Sequence, residues 1–137
     1  MSTSFRDKHI FVVDDTAFMR AGLINILVNM GFDRQKITQF DSGLSALEGF
    51  KSQAKVDLIF SDWNMPLMTG IELLKAIRTS GDSRRDIPIV MITTVSEKDK
   101  VIEALKFRLS GYILKPVEQT KVLEIVSGIF EAESDES

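Results

Sequence analysis

Four short apolar runs, at residues 10–13, 58–60, 89–92 and 112–114, constrain this chain more than any other feature. They are continuous rather than alternating. A strand exposed on one face alternates apolar and polar residues, so unbroken runs of this length read as strands covered on both faces, the signature of a parallel sheet sandwiched by helices. Ile37-Thr38-Gln39-Phe40 is more mixed and reads as an edge strand. Between the runs the apolar spacing changes to that of helices. Leu23, Ile26, Leu27 and Met30 share one helix face before Gly31 ends the segment. Leu44, Leu47 and Phe50 form a stripe behind an N-cap at Asp41-Ser42. Ile71, Leu74 and Ile77 make a third. Ser96-Glu97-Lys98-Asp99 reads as a capping box ahead of Val101, Ile102 and Leu105, and Val122, Ile125, Val126 and Ile129 give a final helix. Strand and helix alternate five times, which predicts an α/β fold with right-handed crossovers.

A chain of 137 residues, 44% apolar and 27% charged, suits one domain with its own core. Without cysteine it has neither disulfides nor thiolate metal ligands. A net charge of −3 gives no footing for direct nucleic-acid binding. No apolar stretch approaches the roughly 18 residues of a membrane span, and Met1-Ser2-Thr3-Ser4 opens no signal-peptide pattern, so a cytoplasmic protein without membrane insertion is expected. Residues 79–86 form a polar loop rather than a domain linker. The acidic end, residues 131–137, is expected to fray or to begin a linker.

In an open parallel sheet, ligands bind beyond the carboxyl ends of the strands. Asp14-Asp15, Asp62, Thr93 and Lys115 each follow or end an apolar run, so all of them are expected at that one edge. Taken singly, each has an ordinary reading: a helix N-cap for Asp14-Asp15, a turn residue for Asp62, a strand threonine, a solvated lysine. Gathered together they suit phosphoryl transfer. Carboxylates held close repel one another, and a divalent cation relieves that repulsion. Magnesium takes one or two carboxylates together with water and phosphate oxygens. A carboxylate can attack phosphorus to form an acyl phosphate, with nearby cations neutralising the transferred group. The Lys115-Pro116 bond is a candidate cis peptide.

Val12-Val13-Asp14-Asp15, Ser61-Asp62-Trp63-Asn64-Met65-Pro66, Gly70-Ile71-Glu72-Leu73-Leu74 and Gly111-Tyr112-Ile113-Leu114-Lys115-Pro116 together resemble the receiver domains of response regulators, most closely the stand-alone chemotaxis regulators. The resemblance implies a flavodoxin-like (βα)5 doubly wound sheet of strand order 2-1-3-4-5, an order that comes with the family. It implies a receiver domain over residues 8–130, with 1–7 and 131–137 as flexible termini. Asp62 would be the phosphoacceptor. Mg2+ would be held by the side chains of Asp15 and Asp62 and the backbone carbonyl of Asn64, with Asp14 acting mainly through water. Thr93 and Lys115 would hold the phosphoryl oxygens. The donor would be a phosphohistidine on a sensor histidine kinase or its phosphotransfer domain. The only histidine here, His9, opens the first strand, so the chain is the acceptor. Thr93 and Tyr112 would form the switch, read by an output protein on the face of the fourth helix, fifth strand and fifth helix. The flagellar switch is one candidate partner, and the protein is expected to act as a monomer.

Several positions depart from the family pattern. Phe107-Arg108-Leu109 replaces a small Ala-Gly-Ala-like turn. A left-handed turn there would strain arginine, so either the fourth helix runs on or the turn is rebuilt. Phe107 and Leu109 read as core residues. Thr94, Val95 and Asn64 flank the phosphoryl position and would govern water access and phosphoryl lifetime. Thr69 stands where an acidic residue is frequent. Two other functions are open to such a chain: the receiver module of a longer regulator, and an aspartate-nucleophile phosphatase. The second needs a general acid two residues after the nucleophile, and Asn64 cannot donate a carboxyl proton. No enzyme activity beyond the phosphorylation and dephosphorylation of Asp62 is expected.

Overall fold

The computed structural model describes residues 5–52, 55–94 and 98–135. Five strands, β1 (Ile10–Val13), β2 (Ile37–Phe40), β3 (Leu58–Asp62), β4 (Ile89–Thr93) and β5 (Gly111–Leu114), alternate with α1 (Ala17–Asn29), α2 (Gly43–Ser52), α3 (Gly70–Arg78), α4 (Lys98–Lys106) and α5 (Gln119–Asp135). A single 3-10 turn at Arg34–Lys36 leads into β2. All pairings are parallel and the order is β2-β1-β3-β4-β5, the doubly wound flavodoxin-like arrangement expected.

The unbroken apolar runs are explained by two cores, one on each side of the sheet. Phe11, Val13, Ile59 and Met91 face α2, α3 and α4 through Phe50, Leu73, Leu74 and Ala104. Their strand neighbours Ile10, Val12, Phe60 and Ile92 face α1 and α5 through Leu23, Leu27, Val122 and Val126. In β1, β3 and β4 alternate side chains therefore enter different cores, and nearly every position is apolar. The run at 112–114 departs from the expectation: β5 is an edge strand that buries Ile113 and leaves Tyr112 and Leu114 exposed. The edge strand β2 is only half-buried, as its mixed sequence requires.

Some local expectations are corrected. Leu44 is 45% exposed, and α2 turns Gly43, Ala46 and Phe50 inward instead, with Leu47 partly buried. The cause is a close approach: a side chain on Gly43 would lie 2.8 Å from Met68 Cγ, so the helix starts with its backbone against that residue. The capping box read at Ser96 lies outside the described residues. A true one opens α3, where Thr69 Oγ1 accepts from the Glu72 amide at 3.2 Å and Glu72 Oε1 accepts from the Thr69 amide at 3.1 Å. That is what threonine does at this position. Near the chain's ends the fold is continued by one aromatic contact and one helix. Phe5 is buried, with its ring stacked 4.7 Å from Phe32 beside Phe130, and α5 continues to Asp135.

The turn between α4 and β5 follows neither alternative. The helix stops at Lys106, and Arg108 itself takes the left-handed conformation at φ 59°. Phe107 is half-buried and Leu109 buried, so both belong to the core as expected. The strain at Arg108, of order 1–2 kcal/mol for an L residue, is offset by Arg78. This last residue of α3 is 5% exposed, and its guanidinium donates to four main-chain carbonyls: Phe107 at 2.8 Å, Arg108 at 2.9 Å, and Arg85 and Ile87 at 2.7 Å each. Burial, reinforced by the nearby Arg108 charge and opposed by Asp86, pulls its pKa down to about 10, so it stays protonated at neutral pH. Arg108 in turn pairs with Asp86 at the surface. Replacing Arg78 by Met keeps the aliphatic stem and strands the carbonyls. Arg78→Met should therefore destabilise the fold by about 3 kcal/mol in urea denaturation, whereas loss of the exposed Asp86 partner in Asp86→Asn should change stability by less than about 1 kcal/mol.

Candidate functional site

Parallel register brings the sequence-predicted residues to one edge. Val13 pairs with Ser61 and Ile92 with Asp62, so Asp14 emerges beside Asp62. Thr93 pairs with Leu114, and the Lys115 amide donates to the Thr93 carbonyl at 2.7 Å, which carries the lysine to the same edge. The Lys115-Pro116 bond is cis.

Each acidic side chain has its own support. The Asp14 carboxylate accepts from the Thr16 amide through Oδ1 at 2.9 Å. Asp62 ends β3 and is 7% exposed. Its backbone is wedged by Gly70, where an added side chain would lie 2.5 Å from the Asp62 carbonyl oxygen and 2.8 Å from Met91 Sδ. Only glycine lets α3 start so close to the Asp62 backbone. Asp15 is exposed and completes the group: one carboxylate oxygen from each of Asp14, Asp15 and Asp62 lies within 4.8 Å of the others. Lys115 Nζ donates to Asp62 Oδ1 at 3.3 Å and stands 3.8 Å from Asp14 Oδ2.

The electrostatics are unbalanced. Burial raises the Asp62 pKa above its ordinary value; Lys115 opposes the rise and Asp15 adds to it. Burial likewise raises the Asp14 pKa, opposed by the Thr16 amide and increased by Asp62. Three clustered carboxylates face one ammonium. Hard oxygen donors with an excess of negative charge and an exposed side at Asp15 fit a divalent cation of the magnesium type.

Other expected residues stand apart. Thr93 is buried at the end of β4, while Thr94 and Asn64 are exposed at the rim. Val95 lies outside the described residues. Tyr112 pairs with Met91, two residues before the site edge, and is 42% exposed. Sequence reading missed one polar contact altogether. Arg20 on α1 donates through Nη1 to the Asp14 carbonyl at 2.6 Å and through Nε to Gln39 Oε1 at 3.0 Å. A lone arginine on a helix gives no signal of such a role.

A carboxylate whose folded pKa lies above its unfolded value binds protons better when folded, so ionising it works against folding. That penalty is absent below the ordinary value of 3.8, and it grows as pH rises through the raised folded value. In a chelating buffer at pH 7, Asp62→Asn should melt a few degrees higher than wild type, and the gain should fade as the pH falls toward 3.8. Thermal melts followed by circular dichroism test this, and a lower midpoint for the variant at pH 7 would refute it.

Residues 10–127 match the family model described as the response regulator receiver domain. Chemotaxis protein CheY-3 of Vibrio cholerae is 36% identical over 92% of this chain and 94% of its own. Chemotaxis protein CheY1 of Helicobacter pylori is 40% identical over 78% of this chain and 84% of its own. Among solved structures, Vibrio cholerae CheY4 superposes with a TM-score of 0.77 at 29% identity, covering 89% of this chain and 98% of that one. No helix among the described residues is long and apolar enough to cross a membrane. With five parallel strands in this order and its acidic group at the strand ends, the chain belongs to the response regulator receiver family, as a CheY-like receiver of two-component signalling.

Proposed function

We propose that Asp62 accepts a phosphoryl group from a phosphohistidine and that the modified protein then changes its affinity for an output partner. The observation that carries this reading is the position of Lys115 Nζ, 3.3 Å from Asp62 Oδ1, beside a group of three carboxylates with oxygens within 4.8 Å of one another. An Asp62 oxygen attacks phosphorus, the phosphorus–nitrogen bond of the donor breaks, and the imidazole leaves with its electron pair. Lys115 loses part of its ion pair and can follow the transferred oxygens, and the buried Thr93 hydroxyl is the second ligand to them. Magnesium bound by Asp15, Asp62 and the Asn64 carbonyl, with Asp14 nearby, would supply neutralising charge to the phosphoryl group.

The donor in this reading is a sensor histidine kinase or its phosphotransfer domain, the partner class with which receiver domains work. The output face is that of α4, β5 and α5, where Ile102, Leu105, Tyr112, Leu114 and Leu123 are exposed. Thr93 and Tyr112 form the switch, and Asn64, Thr94 and Val95 tune access of water to the acyl phosphate. Relatives named as chemotaxis proteins make an output protein of the flagellar-switch kind the first to test. The protein acts in the cytoplasm as a monomeric receiver domain, with no turnover beyond the phosphoryl cycle of Asp62.

Incubation with acetyl phosphate and magnesium should add one phosphoryl group to the wild type by intact-mass spectrometry, and none to Asp62→Asn or to wild type in chelator. A wild type left unmodified across a broad range of magnesium and donor concentrations would sink the proposal.

A further inference from the structure

We propose that Arg20 is a positioning residue that sets both members of the Asp14-Asp15 pair for a divalent cation, an inference that rests on the metal reading of the site. The atom it grips is the Asp14 carbonyl oxygen, 2.6 Å from Nη1. That carbonyl belongs to the planar peptide unit joining Asp14 to Asp15. Fixing its direction fixes the rotation of that peptide plane, and so constrains ψ of Asp14 and φ of Asp15, the torsions next to the two carboxylate-bearing Cα atoms. No hydrogen bond to one carboxylate could orient both.

The rest of Asp14 is tied as well. Its amide donates to the Phe40 carbonyl at 3.1 Å, and its Oδ1 accepts from the Thr16 amide at 2.9 Å. Oδ2 is left facing Lys115 and the other acids. Arg20 closes this frame from the helix side, because its Nε also donates to Gln39 Oε1 at 3.0 Å, on the residue next to Phe40. One planar guanidinium thus ties α1, the turn carrying the acidic pair and the end of β2. A lysine has a point charge and no such fork, and cannot hold both acceptors in fixed directions. Groups that orient a metal's ligands from outside the coordination sphere commonly govern affinity by about tenfold or more.

The sign of the effect separates positioning from simple electrostatics. A guanidinium beside an acidic group repels a dication, so if charge were its only influence, removing it would tighten binding. The test is magnesium titration of the full chain, followed by Trp63 fluorescence and by calorimetry, with folding checked by circular dichroism in chelator. Arg20→Ala should weaken magnesium binding about tenfold. Arg20→Lys should recover only part of the loss, and Gln39→Ala, which frees Nε and keeps the charge, should weaken binding in the same direction by less. Magnesium affinity in Arg20→Ala equal to or tighter than wild type overturns the assignment. If Arg20→Ala does not fold, Gln39→Ala decides alone, and unchanged affinity there overturns it equally. A wild type that fails to titrate by either method refutes the metal reading and this inference with it. A titrating wild type with unaffected variants refutes only the role of Arg20.

Discussion

Lys115 stands between two buried carboxylates, 3.3 Å from Asp62 and 3.8 Å from Asp14, and the site edge is organised around that contact. One ammonium cannot neutralise three acids, and burial keeps Asp14 and Asp62 above their ordinary pKa despite it. An apolar floor that includes Val12, Phe60 and Ile92 keeps water from screening the group from below. The sheet accepts this repulsion because its strands are fixed by two apolar cores that do not depend on the acids. The site is therefore stored at a raised free energy, which a dication or a transferred phosphoryl group with its metal can lower. Local rules of stability are broken at one edge and obeyed everywhere else.

Strand ends were legible because a run of buried residues has to stop where the chain meets water. Asp14 and Lys115 sit immediately past such stops and Asp62 one residue further on, after Ser61, and parallel order does the gathering. Helix faces were harder to read. Leu47 and Phe50 pack as read, but Leu44 turns outward, because Gly43, without a side chain, takes the contact with Met68. Arg108 failed in another way. Its left-handed φ depends on a hydrogen bond from Arg78, thirty residues earlier, and on the Asp86 pair. Local propensity rightly disfavours that conformation for arginine, and tertiary contacts override it. Arg20 carried no signal, because what it does is defined by the direction of a carbonyl that only the folded turn creates.

The two ends of α3 serve different parts of the molecule. At its start, Gly70 lies against the Asp62 backbone, and the Gly70 amide donates to the Trp63 carbonyl at 2.9 Å. At its end, Arg78 holds the turn that leads into β5. Midway, Lys75 pairs with Glu103 of α4. This helix is a fixed frame joining the site edge to the opposite edge of the sheet.

A frame of this kind restricts where a phosphorylation signal can travel. Coupling between sites needs an element with two arrangements whose balance both sites bias, and spatial linkage alone does not supply one. The C-terminal end of α4 and the entry to β5 are tied by two bonds of Arg78, to the Phe107 and Arg108 carbonyls, which a rearrangement there would have to break, while its other two hold the loop before β4 at Arg85 and Ile87. A switch between Thr93 and Tyr112 avoids that cost. Tyr112 sits on a strand whose backbone pairing can persist while its exposed ring moves, and Thr93 adjoins Lys115, whose ion pairs the proposed phosphoryl transfer would alter. The proposed change is therefore one of side-chain placement across β4 and β5, beside an α4–β5 turn that Arg78 of α3 holds.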